Sequence, residues 1–505
     1  MPFSPTSLVK VVSVVSLSVC ARAGGEEREA TTPPSAFLLR SALVANRLVD
    51  CSFSSPVAPW AAEGPWEAGA TLESLADLSI AAGNATADFS RLYHEVFLNS
   101  PPVQALCNDG NLWWALAWLR AAKAVGDRTP NGTAYIARAA EIFDFVIGAG
   151  VEPYKGLCGG GVAQCPAPAA PYKNAITAEL FITAGMYLHP YTKRLGRQAD
   201  FFLGWAGDMW AWLAASGLIN EHSLVNDGLD PATCMNLNDT AWSYNQGVFL
   251  DGLALLSAAA KDPSIADTAW RTANATMRAM TDKGVLVEPC IGGSGGCKQD
   301  QLVFKGEFAR HLARFSAYYG PRHRAAAAAA AAFLQTNARS MLANAVVENS
   351  VQPRPAWHGD FAVDWRGGGS SSSNPGTIGT ASSGLNLLTA AALVGAKPNT
   401  TRFHDLGLGN CADAAGDGMP QCSLWTVSEK GCVAAALALE GAVAYDYTWH
   451  CDGQLACRVR SMAASPAACA ALPHNYPAVF QFEAGNATEV TSVVPAQSTI
   501  CVLLA

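Results

Sequence analysis

Long apolar runs are scarce in this chain. No stretch approaches the roughly 18 uninterrupted apolar residues that a membrane-spanning helix needs, so no membrane span is expected. Charge is scarce too: 15% of the 505 residues are charged, and the net value of -8 leaves no basic surplus. That balance excludes nucleic acid and anionic membrane surfaces as expected partners. The nine histidines do not cluster, which argues against a sugar epimerase or lyase driven by histidine bases. No set of His, Cys and Asp has metal-ligand spacing, so no metal and no other cofactor is expected. The glycine-rich run Gly156-Leu157-Cys158-Gly159-Gly160-Gly161 lacks the following Lys-Ser/Thr of a phosphate loop, although its backbone is free to approach a ligand closely.

What is present is the material of a globular, exported protein. Hydrophobic residues make up 50% of the chain, enough for a large core. Lys10 precedes the apolar run Val11–Val19, and Ala21-Arg22-Ala23 has the small residues of a cleavage site, so residues 1–23 read as a secretory signal. Residues 24–35 read as a disordered linker. Of the 15 cysteines, Cys20 leaves with the signal, and the even remainder suits disulfides. Acceptor sequences for N-glycosylation at Asn84, Asn131, Asn238, Asn274, Asn399 and Asn486 point to the same compartment.

From residue 36 to 396 the pattern is all-α. Helical periodicity predicts about a dozen helices, among them Ala36–Val49, Leu72–Ala82, Leu112–Val125, Asn174–Leu188, Tyr244–Ala260, Ile265–Asp282 and Phe304–Tyr319. Polar, motif-like segments open roughly every second helix, the arrangement expected if inner helices point their starts at one shared mouth and plain helices pack behind them. Residues 399–505 differ in kind. Seven cysteines crowd there, one helix is expected at Cys432–Gly441, and alternation at Val479–Phe482 and Val490–Val493 reads as strand. A small disulfide-rich α+β module results, with a stretch around Cys432–Arg460 that resembles PAN/apple-type adhesion domains. The helical part also keeps seven cysteines. Two odd counts imply a bridge between the parts or one free thiol in each.

The chemistry gathers at Cys107–Arg120, CNDGNLWWALAWLR. Asn108, Asp109, Gly110 and Asn111 form a polar knot before Trp113 and Trp114. A carboxylate and amides at the mouth of an aromatic helix suit a hydroxyl-rich ligand; a capped core helix is the plain alternative. Four further segments carry similar equipment: Tyr172-Lys173-Asn174, Asn226-Asp227-Gly228, Tyr244-Asn245-Gln246 and Phe304-Lys305-Gly306. Sugars stack on aromatic rings and take bidentate hydrogen bonds from Asp, Asn and Gln. Each segment has its own plain reading, as a turn, core aromatics or a disulfide staple.

Taken in order, WWALAWLRA (113–121), CGGG (158–161), YKNAITAELF (172–181), SGLINEHSLVNDGLD (216–230), WSYNQGVFLDGL (242–253), FKGEFARHL (304–312) and FAVDW (361–365) resemble glycoside hydrolase family 76, the endo-α-1,6-mannanases of bacteria and fungi. The resemblance covers roughly residues 36–396. It implies an (α/α)6 barrel, a six-hairpin toroid, acting as a monomer on α-mannan or another mannose-containing glycan. It also implies a retaining mechanism run by two adjacent aspartates ahead of the Trp pair. Here Asp109 takes the place of the nucleophile and Gly110 stands where the acid/base belongs; a one-residue shift would instead set Asn108-Asp109 on the pair, and either way one carboxylate is missing. By the same resemblance Asn108, Trp113, Trp114, Asn174, Asn226, Asp227, Tyr244, Asn245, Gln246 and Lys305 are expected to bind substrate. Asp227 and Asp300 are the candidates for a substitute carboxylate. Without one, the chain is expected to bind glycan but not to cleave it.

Overall fold

A computed structural model describes residues 34–395, apart from 83–87, 102, 104–105, 153–155, 167–171, 239, 294, 347–360 and 368–375, together with seven strands between 410 and 503. The expected leader and linker, and the helix expected at Cys432–Gly441, lie outside the described residues.

The first part is helical as expected. Among the described residues the helices are α1 (Pro34–Asn46), α2 (Pro65–Ala82), α3 (Ser90–Asn99), α4 (Asn108–Val125), α5 (Pro130–Gly150), α6 (Ala175–Leu188), α7 (Phe201–Ala215), α8 (Ser243–Gly247), α9 (Leu250–Ala260), α10 (Pro263–Ala279), α11 (Phe304–Tyr319), α12 (Arg324–Asn344) and α13 (Ile378–Gly395). Local chemistry sets several starts. Thr129 caps α5 by accepting from Gly132 N at 3.0 Å, with Pro130 in the first turn. Asp262 caps α10 by accepting from Ser264 N at 3.0 Å, again ahead of a proline.

Several boundaries differ from the periodicity reading; α4, for one, begins at Asn108 and not Leu112. Helix α2 begins at Pro65, not Leu72, because Gly69 is a packing residue: a Cβ there would stand 3.3 Å from the Trp114 ring. The segment expected as one helix over Tyr244–Ala260 is two, α8 and α9. Helix α10 stops at Ala279 and yields to a hairpin of β3 (Thr281–Asp282) and β4 (Val285–Leu286), whose turn holds Lys283 and Gly284 at φ of 52° and 80°. The remaining pair in this part, β1 (Val151–Glu152) and β2 (Gly161–Val162), is antiparallel and lies between α5 and α6.

Helix packing closes on itself. Helix α2 packs on α4, α4 on α6, α6 on α9, α9 on α11, α11 on α13, and α13 returns to α2. Behind this ring α5 backs α4, α7 backs α6, α10 backs α9, α12 backs α11 and α13, and α1 backs α13. Inner helices are buried all round, as α6 is from Ala175 to Met186, whereas α10 keeps one polar face outward.

In the second part β5 (Asn410–Ala412) pairs with β10 (Ser492–Val494). A five-stranded antiparallel sheet runs β11 (Thr499–Leu503), β7 (Ala442–Trp449), β8 (Leu455–Ser461), β6 (Gln421–Thr426), β9 (Gln481–Glu483). The two strands expected from alternation appear as β9 and β10, displaced by a residue or two.

Bridges Cys107–Cys165, Cys158–Cys234 and Cys290–Cys297 use six cysteines of the helical part. Cys51, the seventh, is disulfide-bonded as well, so none of the seven is a free thiol.

Candidate active site

The first turns of the inner helices meet around one mouth. Trp66 of α2 stacks on Trp113 of α4 at 5.4 Å, and Trp114 Nε1 donates to Pro65 O at 2.9 Å. Tyr244 of α8 stacks on Phe304 of α11 at 3.8 Å. Gly379 N at the start of α13 donates to Glu63 Oε1, just ahead of α2, at 3.1 Å. Helix N-termini carry partial positive charge, so their convergence favours carboxylates there. Six are present: Glu63, Glu67, Asp109, Glu179, Asp227 and Asp300. None of the six has an ion-pair partner among the described residues.

Asp109 lies in the first turn of α4, half-buried. A short strap opposite the helix start holds it. Cys165 is bonded to Cys107, Asn108 N donates to Gln164 O at 2.6 Å, and Asn108 Nδ2 donates to Ala163 O at 2.9 Å. The Gln164 side chain then donates from Nε2 to Asp109 Oδ2 at 3.0 Å, while Gly110 N donates to Oδ1 at 2.8 Å. Burial raises the Asp109 pKa and the negative charge of Asp227 adds to the rise; the two donors oppose it.

Asp227 sits in the loop between α7 and α8, also half-buried. Tyr172 Oη donates to its Oδ2 at 3.0 Å, and Asn245 Nδ2 and Tyr244 Oη reach Oδ1 at 3.1 and 3.4 Å. Its backbone is pinned as well. Ala175 N donates to Asp227 O at 2.8 Å, Leu229 N donates to Lys173 O at 3.0 Å, and the Gln246 amide clamps both the N–H and the C=O of Val225 at 2.7 Å. Glu179 of α6 is wholly buried, with both oxygens unpartnered. Burial, reinforced by Asp227, raises its pKa well above the ordinary value. Glu67 is the other buried acid, pushed up to about 7 by burial and then by the charges of Glu63 and Asp300.

Tyr244 and Asn245 both contact Asp227, and the charges of Asp109 and Asp227 both act on Tyr244. The other expected ligand contacts are enclosed: Asn108, Trp113, Trp114, Asn174, Asn226, Gln246 and Lys305 are all buried. Asn174 caps α6, accepting from Thr177 N at 3.3 Å. Asn226 accepts from Asn220 and Asn236. Lys305 donates to Val363 O and lies 3.9 Å over the Trp365 ring, its pKa brought down to about 7 by burial against the pull of Glu288. These side chains hold the mouth rather than line it. The glycine run is exposed at Gly159 but closed at Gly160 and Gly161. Lys173 donates to Leu157 O and Gly160 O, and a Cβ at Gly161 would meet the Trp212 ring at 2.4 Å, so the close approach there is to α7. Gln164 and Trp66 are site residues that motif reading missed, whereas Tyr172 lies in a segment it singled out. Among the described residues no group of His, Cys, Asp and Glu is placed to hold a metal ion.

Gly110 is buried, and a Cβ there would stand 3.0 Å from Leu106 Cβ and 3.2 Å from its Cδ1, so a side chain at this position would press on Leu106.

Comparison with known proteins agrees with the fold. The model of glycosyl hydrolase family 76 matches residues 51–402. A Schizosaccharomyces pombe protein classed with the mannan endo-1,6-alpha-mannosidases is 26% identical over 49% of this chain, which spans 58% of that protein's length. The mannan endo-1,6-alpha-mannosidase DCW1 of Candida albicans is 29% identical over 28% of this chain and 31% of its own. Among solved structures, Dfg5 from Chaetomium thermophilum in complex with glucosamine aligns with a TM-score of 0.58 at 21% identity, covering 76% of this chain and 97% of that one. An inactive variant of the alpha-1,6-mannanase of Salegentibacter, two neighbouring aspartates changed to asparagine, in complex with alpha-1,6-mannotriose, aligns at 0.57 and 18%, covering 71% and 99%.

Proposed function

This chain belongs to glycosyl hydrolase family 76, and from that premise we propose that it is an exported, retaining α-1,6-mannanase folded as an (α/α)6 barrel. The closed order of inner helices supports the barrel. The single observation that carries the activity is the placement of Asp109: a carboxylate in the first turn of an inner helix, aimed at the mouth and fixed by the Gln164 amide at 3.0 Å. A carboxylate so held meets the geometric need of a nucleophile, since its reach toward an anomeric carbon is set before substrate arrives. Trp66, Trp242 and Tyr244, each half-buried around the mouth, offer ring faces or edges to sugars. The three bridges of the helical part suit an oxidising compartment, which supports export.

The test is incubation with linear α-1,6-mannan and detection of new reducing ends, beside the Asp109→Asn variant. Turnover by the wild type and none by the variant is expected; equal activity in both removes Asp109 as nucleophile. The substitution at Gly110 favours a second reading, a glycan-binding protein without turnover. Calorimetry with α-1,6-mannooligosaccharides separates the two, because binding with no reducing ends released selects the second.

A further inference from the structure

We propose that Asp227 is the second catalytic carboxylate of this chain, the proton donor and acceptor that complements Asp109. The inference rests on the hydrolase reading above and deepens it.

Elimination is the first argument. A catalytic carboxyl must touch the glycosidic oxygen, which removes the wholly buried Glu179 and Glu288 and the nearly buried Glu67. The charges of Glu63 and Asp300 act on Glu67, and that of Asp300 also acts on Tyr244, so Asp300 is the alternative that its own variant tests below. Asp227 is the carboxylate whose charge reaches Asp109. At position 110 there is no carboxyl, and a side chain there would press on Leu106, whose Cβ would stand 3.0 Å from the added Cβ.

The second argument is the way the two carboxylates are tied. One segment carries a contact to each. Gln164 donates to Asp109, Gln164 N donates to Tyr172 O at 2.8 Å, and the Tyr172 hydroxyl donates to Asp227. Their mutual position is therefore built in across 55 residues of sequence on each side. A retaining pair needs a fixed separation of roughly 5–5.5 Å, and a tether of this kind supplies fixity that two adjacent residues would get from one helix turn.

The third argument is the chemistry of the partners. Two of the three groups on Asp227 are phenol hydroxyls, Tyr172 and Tyr244. A hydroxyl donates to a carboxylate and, by rotating, accepts from a carboxylic acid. The same contacts therefore serve Asp227 with and without its proton, as an acid/base group requires.

In the first step an Asp109 oxygen bonds to the anomeric carbon while the bond from that carbon to the glycosidic oxygen breaks. The electron pair leaves on that oxygen, which takes the Asp227 proton. In the second step water gives a proton to Asp227 as its oxygen bonds to the same carbon, and the ester bond breaks with its electron pair returning to Asp109. Water is the only co-reactant, and both groups end as they began.

The test uses the full chain, Asp227→Ala and Asp227→Asn, on two substrates: linear α-1,6-mannan, and a 2,4-dinitrophenyl α-1,6-mannotrioside whose leaving group needs no proton. Expected is a loss of about 10²–10⁴-fold on mannan. On the activated substrate, release of dinitrophenol in the first turnover stays within about tenfold of wild type, and azide restores turnover of Asp227→Ala with formation of the α-mannosyl azide. Equal losses on both substrates without azide rescue overturn the proposal and leave Asp227 a sugar-binding residue; no loss on either overturns it as well. Glu67→Gln and Asp300→Asn run alongside, and leaving-group dependence in one of them instead of Asp227 also overturns it. A wild type inert on both substrates marks failure of the hydrolase reading itself. Asp227→Asn keeps an acceptor for Tyr172, so an unchanged melting curve separates lost chemistry from lost folding.

Discussion

The two ends of the helix ring carry the same residue type in opposite surroundings. Deep in the ring, Glu73 and Asp77 of α2 meet Arg314 of α11, with Arg314 Nη2 at 2.7 Å from Glu73, and Asp77 also pairs with Arg120 of α4 at 2.7 Å. Arg310 binds Glu307, and Asp251 faces His311 at 2.7 Å. Burial works against charge at Asp77, yet the guanidiniums of Arg120, Arg314 and Arg310 hold its carboxyl well below the usual range. At the mouth the carboxylates have no ion-pair partner among the described residues. Asp109, Glu67 and Glu179 all move upward, each with burial as the largest cause. The deep end spends its charges on joining helices, since a buried pair costs too much to leave half-made. The mouth leaves its carboxylates uncompensated, and such groups are the ones available for proton transfer and attack.

The largest expected effect is at the mouth. Asp109→Asn lowers mannan turnover by at least about 10³-fold while circular dichroism and melting temperature stay near wild type. Next comes the deep end. Arg314→Met leaves Glu73 and Asp77 short of a cation and costs about 3–5 kcal/mol, read from denaturant unfolding, with activity per folded molecule little changed. The comparison breaks if the two variants exchange phenotypes.

Gly110→Asp is a smaller perturbation with a sharper meaning. It destabilises by about 1–3 kcal/mol through contact with Leu106, and it adds no activity. A gain in turnover would show that the missing neighbour, rather than Asp227, limits the chemistry.

Glu179→Gln tests the uncompensated burial. Both states are protonated below the unfolded value near 4.5, so Glu179 has no cost there. As pH rises the unfolded chain ionises first, and the folded state falls behind. The variant is therefore expected to raise the melting temperature by a few degrees at pH 8, with the gain shrinking toward pH 4. A gain independent of pH would mean that Glu179 is not a neutral acid in the folded state. The smallest effect is at Gln164. Its donation opposes the rise at Asp109, so Gln164→Ala moves the acid limb of kcat/KM to higher pH, because the nucleophile must be ionised to attack. An acid limb that stays in place would break the link from the strap to Asp109.

Much of the site was legible before the fold was known. Asp109 is marked by the Trp pair that follows it, and Asp227 by its tight turn beside Asn226 and Gly228. The aromatic signal misled, for a physical reason. Helical spacing tells which residues share a face, but α4 is surrounded on nearly every side, so Trp113 and Trp114 are enclosed whichever face they occupy. Gln164 escaped notice because nothing local distinguishes it: its partner lies 55 residues away, across a disulfide and a backbone bond. Glu179 reads as an ordinary helix residue, and only the closed ring deprives it of water and partners.

Composition and pattern by themselves determined the class of this protein: an acidic chain, an all-α first part, a cysteine-rich strand-bearing second part, and the ordered segments of glycosyl hydrolase family 76. Those properties are local, set by periodicity, capping and residue type. Which segment holds Asp109 and Asp227, which charges are paired, and what a side chain at position 110 would meet were decided only by tertiary structure. Each depends on distances between segments far apart in the chain, and closing the ring is what sets them.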